Sequence, residues 1–253
     1  MVVIMGAEKS NIKKFFENVS RVKQYKTQED YNLFSRRRVV FDMLRNTHFS
    51  KVVDLGCGSG GYLHIKKQYN CVYFGLDFSE NMTKTAKVRA KKLGIKEGAF
   101  FQQGDAENTP YADNSFDLVV AICLIEYFEK PDKLIDEIKR ILKEGSILII
   151  QSFIPNLYAH SLFSVLLSIR DFITGNKIEH KQYTKDQLDN LLIKNGFQLV
   201  DFAYSNFYLL PATPFDIFFP KTHVLFSEYM ARKNPKRFGF FAVNYIGKYR
   251  LTK

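Results

Sequence analysis

Val52-Val53-Asp54-Leu55-Gly56-Cys57-Gly58-Ser59-Gly60-Gly61-Tyr62 decides how this chain folds. An apolar, β-branched run ends in an acidic residue and then breaks into four glycines within six positions. Glycine reaches φ > 0 without steric penalty and lets a ligand lie against bare backbone, so the stretch reads as a strand, a tight turn and a helix start. Gly56, Gly58 and Gly61 also satisfy G-x-G-x-x-G, in which helix-start amides hold a pyrophosphate. One glycine motif does not choose between nucleotide cofactors. The residues C-terminal to it make that choice.

Working outward, Lys51–Leu55 reads as the first strand and residues 62–69 as the helix after the turn. Val72-Tyr73-Phe74-Gly75-Leu76 is the second strand and runs into Asp77-Phe78-Ser79, with Asp77 standing 19 residues beyond Gly58. A doubly wound α/β fold delivers a carboxylate to a ribose diol at that place, the end of the neighbouring strand. The competing role for Asp77 is to cap the next helix, but Ser79, with Met82 three positions on, is the better cap. Phe100-Phe101-Gln102-Gln103-Gly104-Asp105-Ala106-Glu107 is a third strand entering Gly-Asp-Ala, and Phe116–Ala121 is a fourth, reached through a turn at Asn114-Ser115. Residues 131–143 carry apolar side chains at 134, 135, 138, 141 and 142, the stripe of an amphipathic helix that Gly145 is expected to stop. Ile147-Leu148-Ile149-Ile150 is the fifth strand.

The run Asp-Leu-Gly-Cys-Gly-Ser-Gly at 54–60, then Gly104-Asp105-Ala106, Phe116-Asp117-Leu118-Val119 and Arg140-Ile141-Leu142-Lys143, resembles in order and spacing the core of the class I S-adenosylmethionine (SAM) dependent methyltransferases. The likeness covers residues 45–155 and is nearest to the type 11 branch, which acts on quinones, lipids and other small molecules. It implies an α/β, Rossmann-like doubly wound sheet with a final antiparallel strand, N-terminal helices as a lid and a helical and loop cap over the acceptor. It divides one domain into a lid (1–45), a SAM-binding core (46–153) and acceptor cap segments with the last strands (154–253). It implies SAM as cofactor, held by Asp54, Gly56, Cys57, Gly58, Ser59, Gly60, Asp77, Phe78, Met82, Gly104, Asp105, Ala106 and Ile122. Asp105 would accept from the adenine amino group while the Ala106 N–H donates to a ring nitrogen. The chain departs from the family pattern after the fourth strand. Leu124-Ile125-Glu126-Tyr127 stands where a Leu-x-His run is common, so no histidine role carries over there. Glu144-Gly145-Ser146 replaces the common Pro-Gly-Gly.

Composition fits a globular α/β chain: 253 residues, 46% hydrophobic and 25% charged. No run nears 18 uninterrupted apolar residues, which argues against a membrane-spanning helix, and Val2-Val3-Ile4-Met5 is too short for a signal-peptide core. Cys57, Cys71 and Cys123 lie far apart without metal-ligand spacing, so no metal is expected, and thiols in this setting point to a cytoplasmic location. The net charge of +11 sits at the ends: residues 1–50 hold 10 Lys/Arg against 5 Asp/Glu, and residues 221–253 hold 8 against 1.

On the N-terminal flank, residues 7–45 read as two helices. The first opens at Ser10 or Asn11 with Phe15, Phe16, Val19 and Val22 on one face, and the second starts at about residue 27. If they form a lid, Tyr25, Tyr31 and Arg36-Arg37-Arg38 are candidates to reach the methionine carboxylate of SAM. On the C-terminal flank, residues 157–172 are an all-round apolar helix. Thr184-Lys185-Asp186-Gln187 is a capping box whose helix Asn195-Gly196 closes. Residues 197–203 are a strand, 207–219 an apolar, proline-broken loop, and 238–245 the last strand.

Methyl transfer from a sulfonium is an in-line displacement with a neutral leaving group, so the protein must chiefly hold the nucleophile about 3–3.5 Å from the methyl carbon. A base is required only where the acceptor must lose a proton. His180 is the first candidate base, His160 the second, and Glu126 or Tyr127 the third. The apolar segments beyond 155 point to a small, hydrophobic or lipid-like acceptor, and the basic ends to peripheral contact with an anionic membrane. An RNA-directed methyltransferase is the second reading, but no RNA-binding module accompanies the basic ends, so nucleic acid is not the expected partner. A non-catalytic SAM-binding protein or an NAD-dependent one is the third, and Gly104-Asp105-Ala106 counts against NAD. The sequence leaves the oligomeric state open.

Overall fold

The computed structural model describes residues 9, 11–14, 16–17, 31–155, 181–207, 220–233, 236–237 and 239–252. Tyr25, His160, His180, the apolar helix expected at 157–172 and residues 208–219 of the expected apolar loop lie outside them. Seven strands, β1 (Lys51–Leu55), β2 (Val72–Asp77), β3 (Ala99–Gln103), β4 (Phe116–Ala121), β5 (Leu142–Phe153), β6 (Phe197–Phe207) and β7 (Ala242–Leu251), form one sheet in the order β3-β2-β1-β4-β5-β7-β6. β1 to β5 pair in parallel, and β7 inserts antiparallel to both β5 and β6. Strand order reverses between β1 and β4. The crevice at the C-terminal ends of these strands is therefore where such a sheet binds ligands.

Alternation along the central strands sorts the core into two layers. Val53, Leu55, Val119, Ala121, Leu148 and Ile150 join one buried cluster, together with Leu134, Ile138 and Ile141 of the helix Asp132–Ile141. Val52, Leu118, Val120, Ile147 and Ile149 join the other, with Val40 and Leu44 of the helix Tyr31–Leu44. The described helices are α1 (Tyr31–Leu44), α2 (His64–Gln68), α3 (Glu80–Lys92), α4 (Asp132–Ile141), α5 (Lys185–Lys194) and α6 (Pro220–Lys233), and the described residues among 9–17 are helical as well. Among these, no helix is long and apolar enough to cross a membrane.

Tertiary pairing moves several expected boundaries. Helix α4 ends at Ile141, not at Gly145, because Asn114 N and Ser115 N donate to the Arg140 and Ile141 carbonyls and Leu142 turns extended to pair with Phe116. The pairing then jumps to Leu118 with Ile147, and Gly145, at φ +74°, turns the extra residues of that bulge. β5 is accordingly longer than the apolar run 147–150. β6 continues past Ala203 to Phe207, held by its ladder with β7. The last strand begins at Ala242 rather than 238, since Gly239–Phe241 form a 3₁₀ turn, and it runs on to Leu251 through alternating buried tyrosines. Helix α2 starts at His64, two residues later than expected, because the glycine turn extends through Leu63.

Candidate functional site

β1 delivers the glycine loop and β2 ties it down: Gly56 N and Cys57 N both donate to the Leu76 carbonyl, at 2.8 and 3.0 Å. Two glycines are dictated by this geometry. Gly60 sits at φ +84°, and a Cβ there would stand 2.6 Å from Leu63 Cδ1. Gly75 on β2 leaves room for the loop, since its Cβ would lie 2.9 Å from Cys57 Sγ. Asp77 ends β2 with Oδ2 accepting from Gly58 N at 2.7 Å and Oδ1 from Ser79 N at 2.9 Å. Each carboxylate oxygen keeps a lone pair for a ligand hydroxyl. Burial raises the Asp77 pKa to about 6, against these two backbone donors. Ser79 caps α3 by accepting from Met82 N, so capping does not occupy Asp77.

A cavity of about 480 Å³ opens along this loop. Gly56, Cys57, Gly58, Ser59, Asp77, Phe78, Met82, Gly104, Asp105, Ala106 and Ile122 all line it, together with Tyr127. Asp54 and Gly60 do not. The Asp54 carboxylate is 1% exposed and accepts from the Tyr73 hydroxyl across β1 and β2. Burial raises its pKa to about 7. It braces the sheet beneath the loop.

At one end of the cavity Asp105 lies just beyond β3. Its Oδ1 accepts from Glu107 N at 3.0 Å, and its Oδ2 accepts from Lys9 Nζ at 2.7 Å. Lys9 also donates to the Glu107 carboxylate. Ile12 and Phe16 continue from Lys9 along the wall, Lys13 Nζ lies 5.7 Å from the centre of the Phe78 ring, and Glu17 accepts from Glu80 N at 2.9 Å. Lys9, Ile12 and Phe16 thus line the cavity from the Asp105 end onward.

At the other end β4 leads into Ile122, Cys123 and Leu124, and then into the 3₁₀ turn Ile125–Tyr127. Cys123 holds φ +55°, a strained conformation for a side-chain-bearing residue. Its thiol donates to Gln151 Oε1 at 3.0 Å and receives Arg36, and Gln151 in turn donates to Asn244 Oδ1 at 3.1 Å. Phe153, Asn206 and Val243, from the ends of β5, β6 and the start of β7, complete this wall. Tyr127 meets Phe16 edge-on, with ring centres 5.4 Å apart. Of the three arginines on α1, Arg36 lines the cavity and Arg38 pairs with Glu228 of α6 at 3.5 Å. Glu126, within the 3₁₀ turn, is 1% exposed, and burial pushes its carboxyl up to about 8 against its own backbone N–H and the pull of Arg36.

Residues 47–196 match a methyltransferase domain family. The chain belongs to the class I methyltransferases. Among curated relatives, the norajmaline N-methyltransferase of Rauvolfia serpentina is 34% identical over 153 residues, which cover 60% of this chain and 49% of that one. The demethylmenaquinone methyltransferase of Paenarthrobacter aurescens is 31% identical over 147 residues, 55% of this chain and 56% of that one. The chain thus spans about half the length of these relatives. In fold it resembles the methyltransferase in complex with the Haloferax volcanii Trm112 activator (TM-score 0.67, 20% identity, 94% and 98% of the two chains). It also resembles the magnesium protoporphyrin IX methyltransferase of Synechocystis (TM-score 0.64, 15% identity, 96% and 99%).

The donor set of this methyltransferase suits SAM. Carboxylates stand at the end of β2 and just beyond β3, the first of them fixed by the Gly58 amide, and apolar Leu76, Phe78, Met82 and Ile122 line the cavity between polar ends. The volume lies in the range of about 300–1,000 Å³ usual for small-molecule sites. Sequence reasoning missed Lys9, Ile12, Phe128, Phe153, Asn206 and Val243. The spacing of Lys9, Ile12 and Phe16 was the available signal for a shared helical face. The last three meet only through the β5-β7-β6 pairing, which no local pattern announces.

Proposed function

We propose that this methyltransferase transfers a methyl group from SAM to a small, largely apolar acceptor. The observation that carries the reading is the composition of the cavity's far wall, where Phe16, Leu124, Phe128, Phe153 and Val243 surround the place at which β4 ends. SAM, when bound, supplies an electrophilic methyl group on a sulfonium. Asp77 would receive the ribose hydroxyls, Asp105 and the Ala106 N–H the adenine edge, and Arg36 the methionine carboxylate. For Asp105 to do so, its ion pair with Lys9 must share or yield one oxygen. The apolar wall would exclude water and align the acceptor, which is most of what the reaction asks of a protein. Tyr127 faces the same cavity and is a candidate to orient or deprotonate the acceptor, as are His180 and His160 from the segments outside the described residues. By their names, the Rauvolfia and Paenarthrobacter relatives act on norajmaline and on demethylmenaquinone, which favours a small molecule. A cytoplasmic protein that touches anionic membranes at its basic ends completes the proposal.

Thermal shift with SAM, S-adenosylhomocysteine and NAD in parallel tests the cofactor, because a ligand of the native state raises its melting temperature. SAM and S-adenosylhomocysteine should raise it and NAD should not. Tritium transfer from labelled SAM to apolar amines, phenols and prenylated rings, run beside total RNA, tests the acceptor. Label in RNA alone would overturn the small-molecule reading.

A further inference from the structure

Two buried side chains at the acceptor end of the cavity carry hydrogen-bond acceptors that nothing among the described residues satisfies. Glu126 is 1% exposed, and apart from the N–H of its own backbone, which is poorly aligned, no donor reaches Oε1 or Oε2. Asn206 is 4% exposed, lines the cavity, and its Oδ1 is likewise unmatched. Both are held in place by their surroundings. The Glu126 turn is closed by Tyr127 N on the Leu124 carbonyl and Phe128 N on the Ile125 carbonyl, and Lys181 N donates to the Glu126 carbonyl. Asn206 sits at φ +56°, skipped by the β6–β7 ladder, between Ser205 paired with Asn244 and Phe207 paired with Ala242.

A buried carboxylate or amide oxygen without a donor is costly, and folds keep such groups where a ligand completes them. Ionised, Glu126 presents two unmatched acceptors and Asn206 a third; burial favours the neutral acid, so a cation beside the carboxyl is what would hold it ionised. The cation coupled to Glu126 is Arg36, whose guanidinium is turned to the Cys123 thiol. The missing partner therefore brings N–H donors and positive charge into an otherwise apolar wall. A hydroxyl offers one donor and no charge, and an anion would face repulsion.

We infer that the methyl acceptor is a lipophilic amine, received as its ammonium by Glu126 with Asn206 taking a second N–H. This rests on the small-molecule reading of the same cavity. Leu124 and Tyr127, which flank the Ile125-Glu126 pair in the chain, both line the cavity, and the amine nitrogen would reach Glu126 between them. An ammonium has no lone pair to give. Passing one proton to the Glu126 carboxylate breaks an N–H bond, forms an O–H bond and restores the nucleophile. Asn206, which cannot take the proton, keeps the nitrogen oriented.

Calorimetry on the full chain with S-adenosylhomocysteine present tests this. The probes are tryptamine, 2-phenylethylamine and octylamine, each against the alcohol and the carboxylate of the same skeleton. At least one amine should bind ten-fold or more tightly than its alcohol, and no carboxylate should bind. Glu126→Gln should abolish that preference and Asn206→Leu weaken it, with S-adenosylhomocysteine affinity unchanged in both. Glu126→Gln should also melt higher than wild type at pH 8 without ligand, since it removes an unmatched buried carboxyl, which shows that the variant folds. No amine preferred over its alcohol in wild type, or the preference intact in Glu126→Gln, overturns the inference. If alcohols or apolar rings then bind and are methylated, small-molecule methyl transfer stands without it. Loss of S-adenosylhomocysteine binding in wild type would instead sink the methyltransferase reading itself.

Discussion

Asp77 and Asp105 look alike in the sequence and are held differently in the structure. Asp77 is anchored by two backbone amides, so removing it loses ligand hydrogen bonds and leaves Gly58 N and Ser79 N unmatched. Asp77→Ala should weaken SAM binding by about 1.5–3 kcal/mol, roughly 10- to 150-fold by calorimetry. Unchanged affinity would remove Asp77 from the site. Asp105 instead commits one oxygen to Lys9 in a pair whose side chains are 43% and 33% exposed. Such a pair contributes about 0–1 kcal/mol. Asp105→Asn should therefore leave the ligand-free melting temperature near wild type while SAM affinity falls. A large drop in ligand-free stability would make Asp105 a structural residue.

Among the elements, the start of β4 is a pin for its neighbours. Asp117 Oδ2 accepts from Ser50 N, Ser50 Oγ and Lys51 N at the start of β1, and Oδ1 accepts from Lys143 Nζ on β5. One carboxylate thus registers three strands at the end of the sheet opposite the cavity. Burial alone would raise its pKa, but these donors hold it down at about 2, below its ordinary 3.8. A depressed pKa gives stability that is present above the unfolded value and lost as pH falls through the folded one. Asp117→Asn should cost about 1–2 kcal/mol at pH 7 after allowance for solvent screening. It should also flatten the loss of stability between about pH 4 and pH 2, read by urea unfolding across pH. An acid limb as steep as wild type would show that other carboxylates carry it.

At the scale of the whole molecule, a net charge of +11 is concentrated near the two chain ends, and the apolar run Phe215-Asp216-Ile217-Phe218-Phe219 directly precedes the C-terminal basic region. An apolar patch rimmed by cations binds anionic bilayers by burying side chains at the interface and by an attraction that salt screens. Flotation with anionic and neutral vesicles at low and high salt should show binding to the anionic vesicles that weakens with salt. Phe218→Ser with Phe219→Ser should lose it. No binding to either vesicle, with methylation of a water-soluble acceptor, would remove the membrane from the account.

The glycine-loop side of the cavity and the helix caps were determined by local sequence. The strand at 51–55, the glycine turn, Asp77 at its fixed spacing, the Ser79 cap and the Thr184–Gln187 capping box each arise from contacts within a few residues or between adjacent strands. Their chemistry is therefore written in neighbouring letters. The far end of the cavity was decided by tertiary structure. β7 enters between β5 and β6 from the far end of the chain, and only that insertion sets Val243 and Asn206 beside Phe153. Likewise Lys9 reaches Asp105 across 96 positions, and Glu126 becomes an unmatched buried carboxyl only once its turn packs under the cavity. Burial and donor count depend on distant segments meeting in space, and no window along the sequence contains both sides of such a contact.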